Sequence, residues 1–173
     1  LDGTARDQFG SAVSLDGSTA IVGATGDKDA GDFTGSVSFF SRDPSGNWRF
    51  DQKLTSLTPA EDDRLGSAVV VNGDVAAYTA IDGITDGAWN TGVVHIATRS
   101  GSVWSEQQQI HPTELTGGMR FGFSLAIEGN LLAVGAPNST AAGFNRGKVV
   151  VYENTTGTVS YTHLRAHETS LHL

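Results

Sequence analysis

Short apolar stretches recur along this chain at a fixed spacing, with turn residues between them. Apolar and small residues dominate Ser11 to Leu15, Ser67 to Val71 and Phe123 to Ile127, and each stretch ends at a tight turn: Asp16-Gly17, Asn72-Gly73 or Glu128-Gly129. The first two pairs favour positive φ at both central positions, which predicts β-hairpins. A second strand follows in each copy: Thr19 to Ala24, Val75 to Ala80 and Leu131 to Ala136. These runs are almost wholly apolar, which predicts burial on both faces, as between stacked sheets. Third strands begin at Gly35, Gly92 and Gly147. A fourth strand alternates: Trp48, Phe50, Gln52 and Leu54 fall on one face, matched by Trp104, Glu106, Gln108 and Ile110. Period two predicts one packed face and one wet face.

The spacing is constant. Phe9-Gly10, Leu65-Gly66 and Phe121-Gly122 lie 56 residues apart, as do Gly17, Gly73 and Gly129, Ala24, Ala80 and Ala136, and the pair Trp48 and Trp104. Four antiparallel strands in each repeat, with no helical period between them, predict blades of a β-propeller. The fold class is therefore all-β: a partial propeller of three four-stranded antiparallel blades, over about residues 7–57, 63–113 and 119–157, the last truncated. Closure needs about four to eight blades, so three make a fragment of a ring.

The motifs Phe121-Gly122 and Gly135-Ala136-Pro137 resemble those of the FG-GAP repeat, the blade unit of integrin-α-like propellers and of many bacterial surface proteins. The first copy reads Phe9-Gly10 and Gly23-Ala24-Thr25, and the second has drifted to Leu65-Gly66 and Thr79-Ala80-Ile81. The resemblance implies a ring of about seven blades, a secreted or cell-surface location, and binding or adhesion through rim loops. Many members carry an Asp-rich calcium loop between the Phe-Gly and Gly-Ala-Pro elements. Here that connection is Leu15-Asp16-Gly17-Ser18 and its equivalents, too poor in carboxylates to wrap a hard cation.

Composition narrows the function classes. The 173 residues carry a formal charge of −8, and their 11 Lys and Arg are scattered, so a phosphate-binding stripe is missing. Nucleic acid is not an expected partner, nor is membrane insertion, since no apolar run approaches a membrane span. With no cysteine there are neither disulfides nor thiolate metal sites. The chain starts at Leu1, with no initiator Met, which is expected of a piece of something longer. Residues 158–173 resemble a translated sequencing adapter. They interrupt the third repeat where a Trp is due and are expected to be a non-native tail that holds His163, His167 and His172.

No nucleophile elbow, HExxH, phosphate-binding loop or paired-acid motif occurs, so no catalytic residue is assigned. Protein or glycan binding is the expected function. The alternatives are a scaffold for a larger secreted enzyme, with its catalytic residues elsewhere, and a structural spacer. The longest and most divergent loops join strands two and three, and blade geometry puts all three on one rim. Their candidate ligand-binding residues are Asp27, Asp29, Asp32, Phe33, Asp82, Asp86, Trp89, Asn138, Phe144 and Asn145. Asp27, Asp29 and Asp32 alternate with other residues as calcium ligands can, although Lys28 sits among them, and calcium is the one cofactor candidate. His95 is expected to be a half-buried strand residue and His111 a loop residue. Trp48, Trp104, Phe39 and Phe40 are expected in the core between blades. Asn138 and Asn154 begin N-glycosylation sequons.

Overall fold

A computed structural model describes residues 3–84, 87–112, 117–139, 147–154 and 161–163. The first sheet contains β1 (Phe9–Asp16), β2 (Thr19–Ala24), β3 (Ser36–Arg42) and β4 (Trp48–Leu54). The second contains β5 (Leu65–Asn72), β6 (Val75–Ala80), β7 (Val93–Ser100) and β8 (Val103–Ile110), and the third β9 (Ser124–Glu128), β10 (Leu131–Ala136), β11 (Lys148–Asn154) and the three-residue β12 (Tyr161–His163). Each sheet is an antiparallel meander in sequence order. In the third, β12 pairs Tyr152 with His163 and Asn154 with Tyr161, at the outer position that β4 and β8 hold in their own sheets.

The first strands of successive sheets pack closely together, whereas the fourth strands barely meet. The sheets thus fan out from an inner edge as blades do. Two cores fill the wedges. Ile21, Val37 and Phe39 of the first blade meet Leu65, Val69, Tyr78 and Trp104 of the second. The second blade's other face, with Ala77, Val94, Ile96 and Ile110, meets Phe121, Leu132, Val134 and Tyr152 of the third. Alternate residues of β6 enter opposite cores, so the continuous apolar run becomes two packed faces.

The fourth strand departs from simple alternation. Register shifts between Phe39 and Phe40, and again between Ile96 and Ala97, mark an extra residue in β4 and β8. The bulge inverts the pleat phase. Trp104 therefore packs in the core toward the first blade and Ile110 in the core toward the third, where unbroken alternation would put them on one face.

The 56-residue period extends to the backbone. Gln8, Arg64 and Arg120, each just before the Phe-Gly position, have φ of 56°, 54° and 53°. Gly35 and Gly92 have φ of 77° and 81°, and a Cβ on either would strike the main chain of the next blade's first residue, Leu65 or Phe121. A parallel bridge links Gly35 to Leu65 at this approach. Glycine at the start of strand three is thus what allows neighbouring blades to touch through their backbones.

Candidate functional site

The β2–β3 and β6–β7 loops, with the described ends of the β10–β11 connection, lie on one rim, opposite the β1–β2, β5–β6 and β9–β10 hairpin turns. The first two are pinned to the linker that enters the next blade. In the first copy the amides of Asp62, Arg64 and Leu65 donate to the carbonyls of Asp32, Phe33 and Thr34 at 3.0, 3.0 and 2.9 Å. In the second, the amides of Gly118, Arg120 and Phe121 donate to Trp89, Asn90 and Thr91 at 2.9, 3.2 and 2.8 Å. Loop bases close alike too: Gly35 N donates to Asp27 O at 3.0 Å, Gly92 N to Gly83 O and Gly147 N to Ser139 O, both at 3.3 Å. The rim backbone is a repeated frame, and its side chains differ from blade to blade.

The candidate residues divide into inward and outward groups. Asp27 is buried. Its carboxylate accepts from the Asp29 amide at 2.8 Å and the Ser36 hydroxyl at 2.7 Å, and Lys53 Nζ lies 3.2 Å away. Burial pushes this carboxyl up, but the Asp29 amide, Ser36 and Lys53 together outweigh it and hold the group below its ordinary value. Lys53 also contacts the Asp29 carboxylate, so its ammonium is the cation between the two acids. Asp32 is turned away, paired with Lys28 at 3.1 Å, and Lys28 covers the Phe33 ring at 4.3 Å. The three acids offered as calcium ligands therefore do not converge. Among the described residues no group of three or more His, Asp or Glu side chains is placed to hold a metal.

In the second loop, Asp82 pairs with Arg64 at 3.3 Å, while Trp89 is 72% exposed. In the third, Asn138 Nδ2 donates to Gly118 O at 3.1 Å, tying the sequon asparagine to the linker. Asp86, Phe144 and Asn145 lie outside the described residues. The rim thus displays Trp89, Asp29 and Asp32, whereas Asp27, Asp82 and Asn138 brace it. The linkers share the rim and add the exposed Leu57. Their sequence signal is only the polar stretch between a fourth strand and the next Phe-Gly position.

His95 is fully buried, a stronger burial than a half-covered strand would give. Its Nδ1 lies 3.2 Å from Glu106 Oε2, and its ring stacks on Tyr78 with centroids 5.5 Å apart. Burial raises the Glu106 carboxyl, but the adjacent imidazole and Gln109, which donates at 2.9 Å, bring it below its ordinary value. Burial raises the nearby Asp63, only partly opposed by the Ala60 amide and His95. With side chains 3% and 5% exposed, the His95–Glu106 pair is sealed against substrate.

An FG-GAP repeat model matches residues 1–40 and 104–152, just over half of the chain. No curated protein matches it. The matched segments hold the Phe9-Gly10 and Phe121-Gly122 copies, and the drifted second copy falls between them.

Proposed function

The chain belongs to the FG-GAP repeat family, and we propose that it is a secreted or surface-displayed binding module that engages a protein or glycan ligand through the β2–β3 rim and performs no chemistry itself. FG-GAP repeats are found in extracellular adhesion-type propeller proteins. Among the described residues no helix is long and apolar enough to cross a membrane.

One observation carries the reading. Two successive loops have the same main-chain frame and different side chains, so the rim holds variable groups on a fixed scaffold. Binding surfaces are commonly built this way, because a rigid frame removes the ordering cost of contact. Trp89 offers a broad apolar face with an N–H at its edge, suited to a sugar ring or an apolar side chain. Asp29 and Asp32 add two exposed carboxylates to the same rim, each ion-paired with a lysine of the first blade. The test is binding of the whole chain to a glycan array and to intact cells, with wild type compared to a Trp89→Ala, Asp29→Ala, Asp32→Ala variant. Loss of about tenfold or more in affinity, with an unchanged circular dichroism spectrum, is expected if Trp89 is an anchor. Undiminished binding by a folded variant would remove the rim from consideration.

A further inference from the structure

Two linker arginines occupy equivalent places and meet different partners. Arg64 and Arg120 lie 56 residues apart, both in left-handed backbone, at φ 54° and 53°. Arg64 pairs with Asp82 at 3.3 Å. The residue 56 places beyond Asp82 is Asn138. The two keep the same main-chain contact: the Asp82 amide donates to Asp63 O and the Asn138 amide to Met119 O, each at 3.4 Å. An amide in place of the carboxylate removes the charge that neutralises the arginine. Arg120 is exposed, and its guanidinium forms no ion pair among the described residues.

Trp89 belongs to the loop that this linker holds. The Gly118 amide donates to Trp89 O and the Arg120 amide to Asn90 O, so loop and linker run side by side. Gly117 and Gly118 bring no side chains to this stretch, Met119 is buried, and Asn138 braces Gly118 O from the third blade. Exposed indole and unpaired guanidinium thus share the junction of the second and third blades. The junction of the first and second blades differs. There the position whose carbonyl receives the linker amide is Asp32, already paired with Lys28, and the linker arginine is paired with Asp82.

We propose that Trp89 and Arg120 form a subsite for a carboxylated sugar, a uronate or sialate unit of an acidic glycan. The subsite lies within the rim surface proposed above and rests on that reading. The apolar face of a sugar ring packs on an exposed indole, and a guanidinium takes a carboxylate through a pair of parallel N–H···O bonds. Tryptophans that anchor protein partners sit instead in well-packed apolar surroundings that exclude water. Around Trp89 the described loop and linker residues are glycine, asparagine and arginine, which leave space and hydrogen-bonding groups for sugar hydroxyls. A formal charge of −8 repels an anion over most of the surface, so an acidic ligand is favoured only where a cation stands unpaired.

Calorimetric titration of the whole chain with matched probes tests the proposal: sialyllactose against lactose, and trigalacturonate against its methyl ester. One acidic probe is expected to bind about tenfold tighter than its neutral partner, an advantage that shrinks as salt is added. Arg120→Gln should abolish the advantage. Asn138→Asp should abolish it too, by giving Arg120 the partner that Arg64 has. Trp89→Ala should weaken binding of both probes in the pair. Arg64→Gln, which removes a cation already paired, should leave the preference intact. Equal binding of acidic and neutral probes, or a preference that survives Arg120→Gln, overturns the carboxylate assignment and leaves the rim reading standing. Undiminished binding by Trp89→Ala overturns the subsite, as do equal losses in Arg64→Gln and Arg120→Gln. Preference for a glutamate-rich peptide over every glycan overturns the sugar. Failure of wild type to bind any of the four probes also overturns the proposal, while the rim reading is still decided by the glycan array and cells. If Arg120→Gln loses its circular dichroism spectrum, Asn138→Asp decides alone, and a preserved preference there counts against the proposal.

Discussion

The first and second blades share a sequence pattern and differ in what lies beside them. In the second, Ala76 to Ala80 are buried throughout, and Trp104 lies flat on Phe39, with an interplanar angle of 17°. In the first, Val22 and Ala20 are only half buried, and Trp48 stays exposed. Phe9, Phe40 and Phe50 form a small edge-on cluster of their own, with centroids 6.2 and 5.8 Å apart. A repeat thus specifies half of each core, and the neighbouring blade supplies the other half. Stability in such an array is a sum of blade terms and blade–blade terms, and one residue type can be worth very different amounts at equivalent positions.

The tryptophans expose that difference most strongly. Trp104→Ala should cost about 3–5 kcal/mol, the usual loss for a buried aromatic. Trp48→Ala should cost about 1 kcal/mol or less. Urea unfolding of both variants checks this. Equal losses would mean that the two blades are packed alike, against the burial seen here.

Glycines sharpen the same contrast at the level of the backbone. A side chain on Gly92 would meet the Phe121 carbonyl at φ 81°, whereas Gly17, at φ 55° in its hairpin turn, has nothing within 4 Å of an added Cβ. Gly17→Ala should therefore cost only the left-handed penalty, about 1–2 kcal/mol. Gly92→Ala adds a collision between blades and should cost about 3 kcal/mol or more. Similar melting temperatures for the two variants would show that the blades separate without cost at this point.

Much of the architecture was legible in the sequence, because an exact period repeats every local signal. Asp16-Gly17 and Asn72-Gly73 fixed the hairpins, whereas the glycines that open the third strands read only as strand starts, and their part in blade contact emerged with the backbone approach to Leu65 and Phe121. The bulge in β4 and β8 was hidden. Trp48, Phe50, Gln52 and Leu54 read as unbroken alternation, and the extra residue becomes apparent only in pairing with β3. On the rim, loop placement followed from topology, but side-chain direction did not. Asp27 turns inward because Ser36 and Lys53, nine and 26 residues away, converge on it. Asp82 is paired by an arginine of the linker, a segment whose composition carries no binding signal.

The two described rim loops give the smallest and most selective test. Asp27, Ser36 and Lys53 knot the first loop by charge. In the second loop the corresponding residues are Gly83, Val93 and Gln109, and the loop base is closed instead by Thr91 Oγ1 donating to Gly83 O at 3.0 Å. A carboxyl held below its ordinary value in the folded state stabilises the fold above its unfolded value, and that contribution fades as the pH falls through the depressed one. Asp27 is in this position. Asp27→Asn should therefore cost about 1–2 kcal/mol at neutral pH, and the gap from wild type should shrink as the pH drops below about 4. Glu106 shifts in the same direction, so an acid limb should persist in the variant, while Asp63, shifted oppositely, offsets part of it. Hydrogen exchange at the Asp29 and Gly35 amides should accelerate in acid ahead of exchange at the Gly92 amide. If all three loosen together, the charged knot is not what distinguishes the loops, and their shared main-chain frame alone holds the rim.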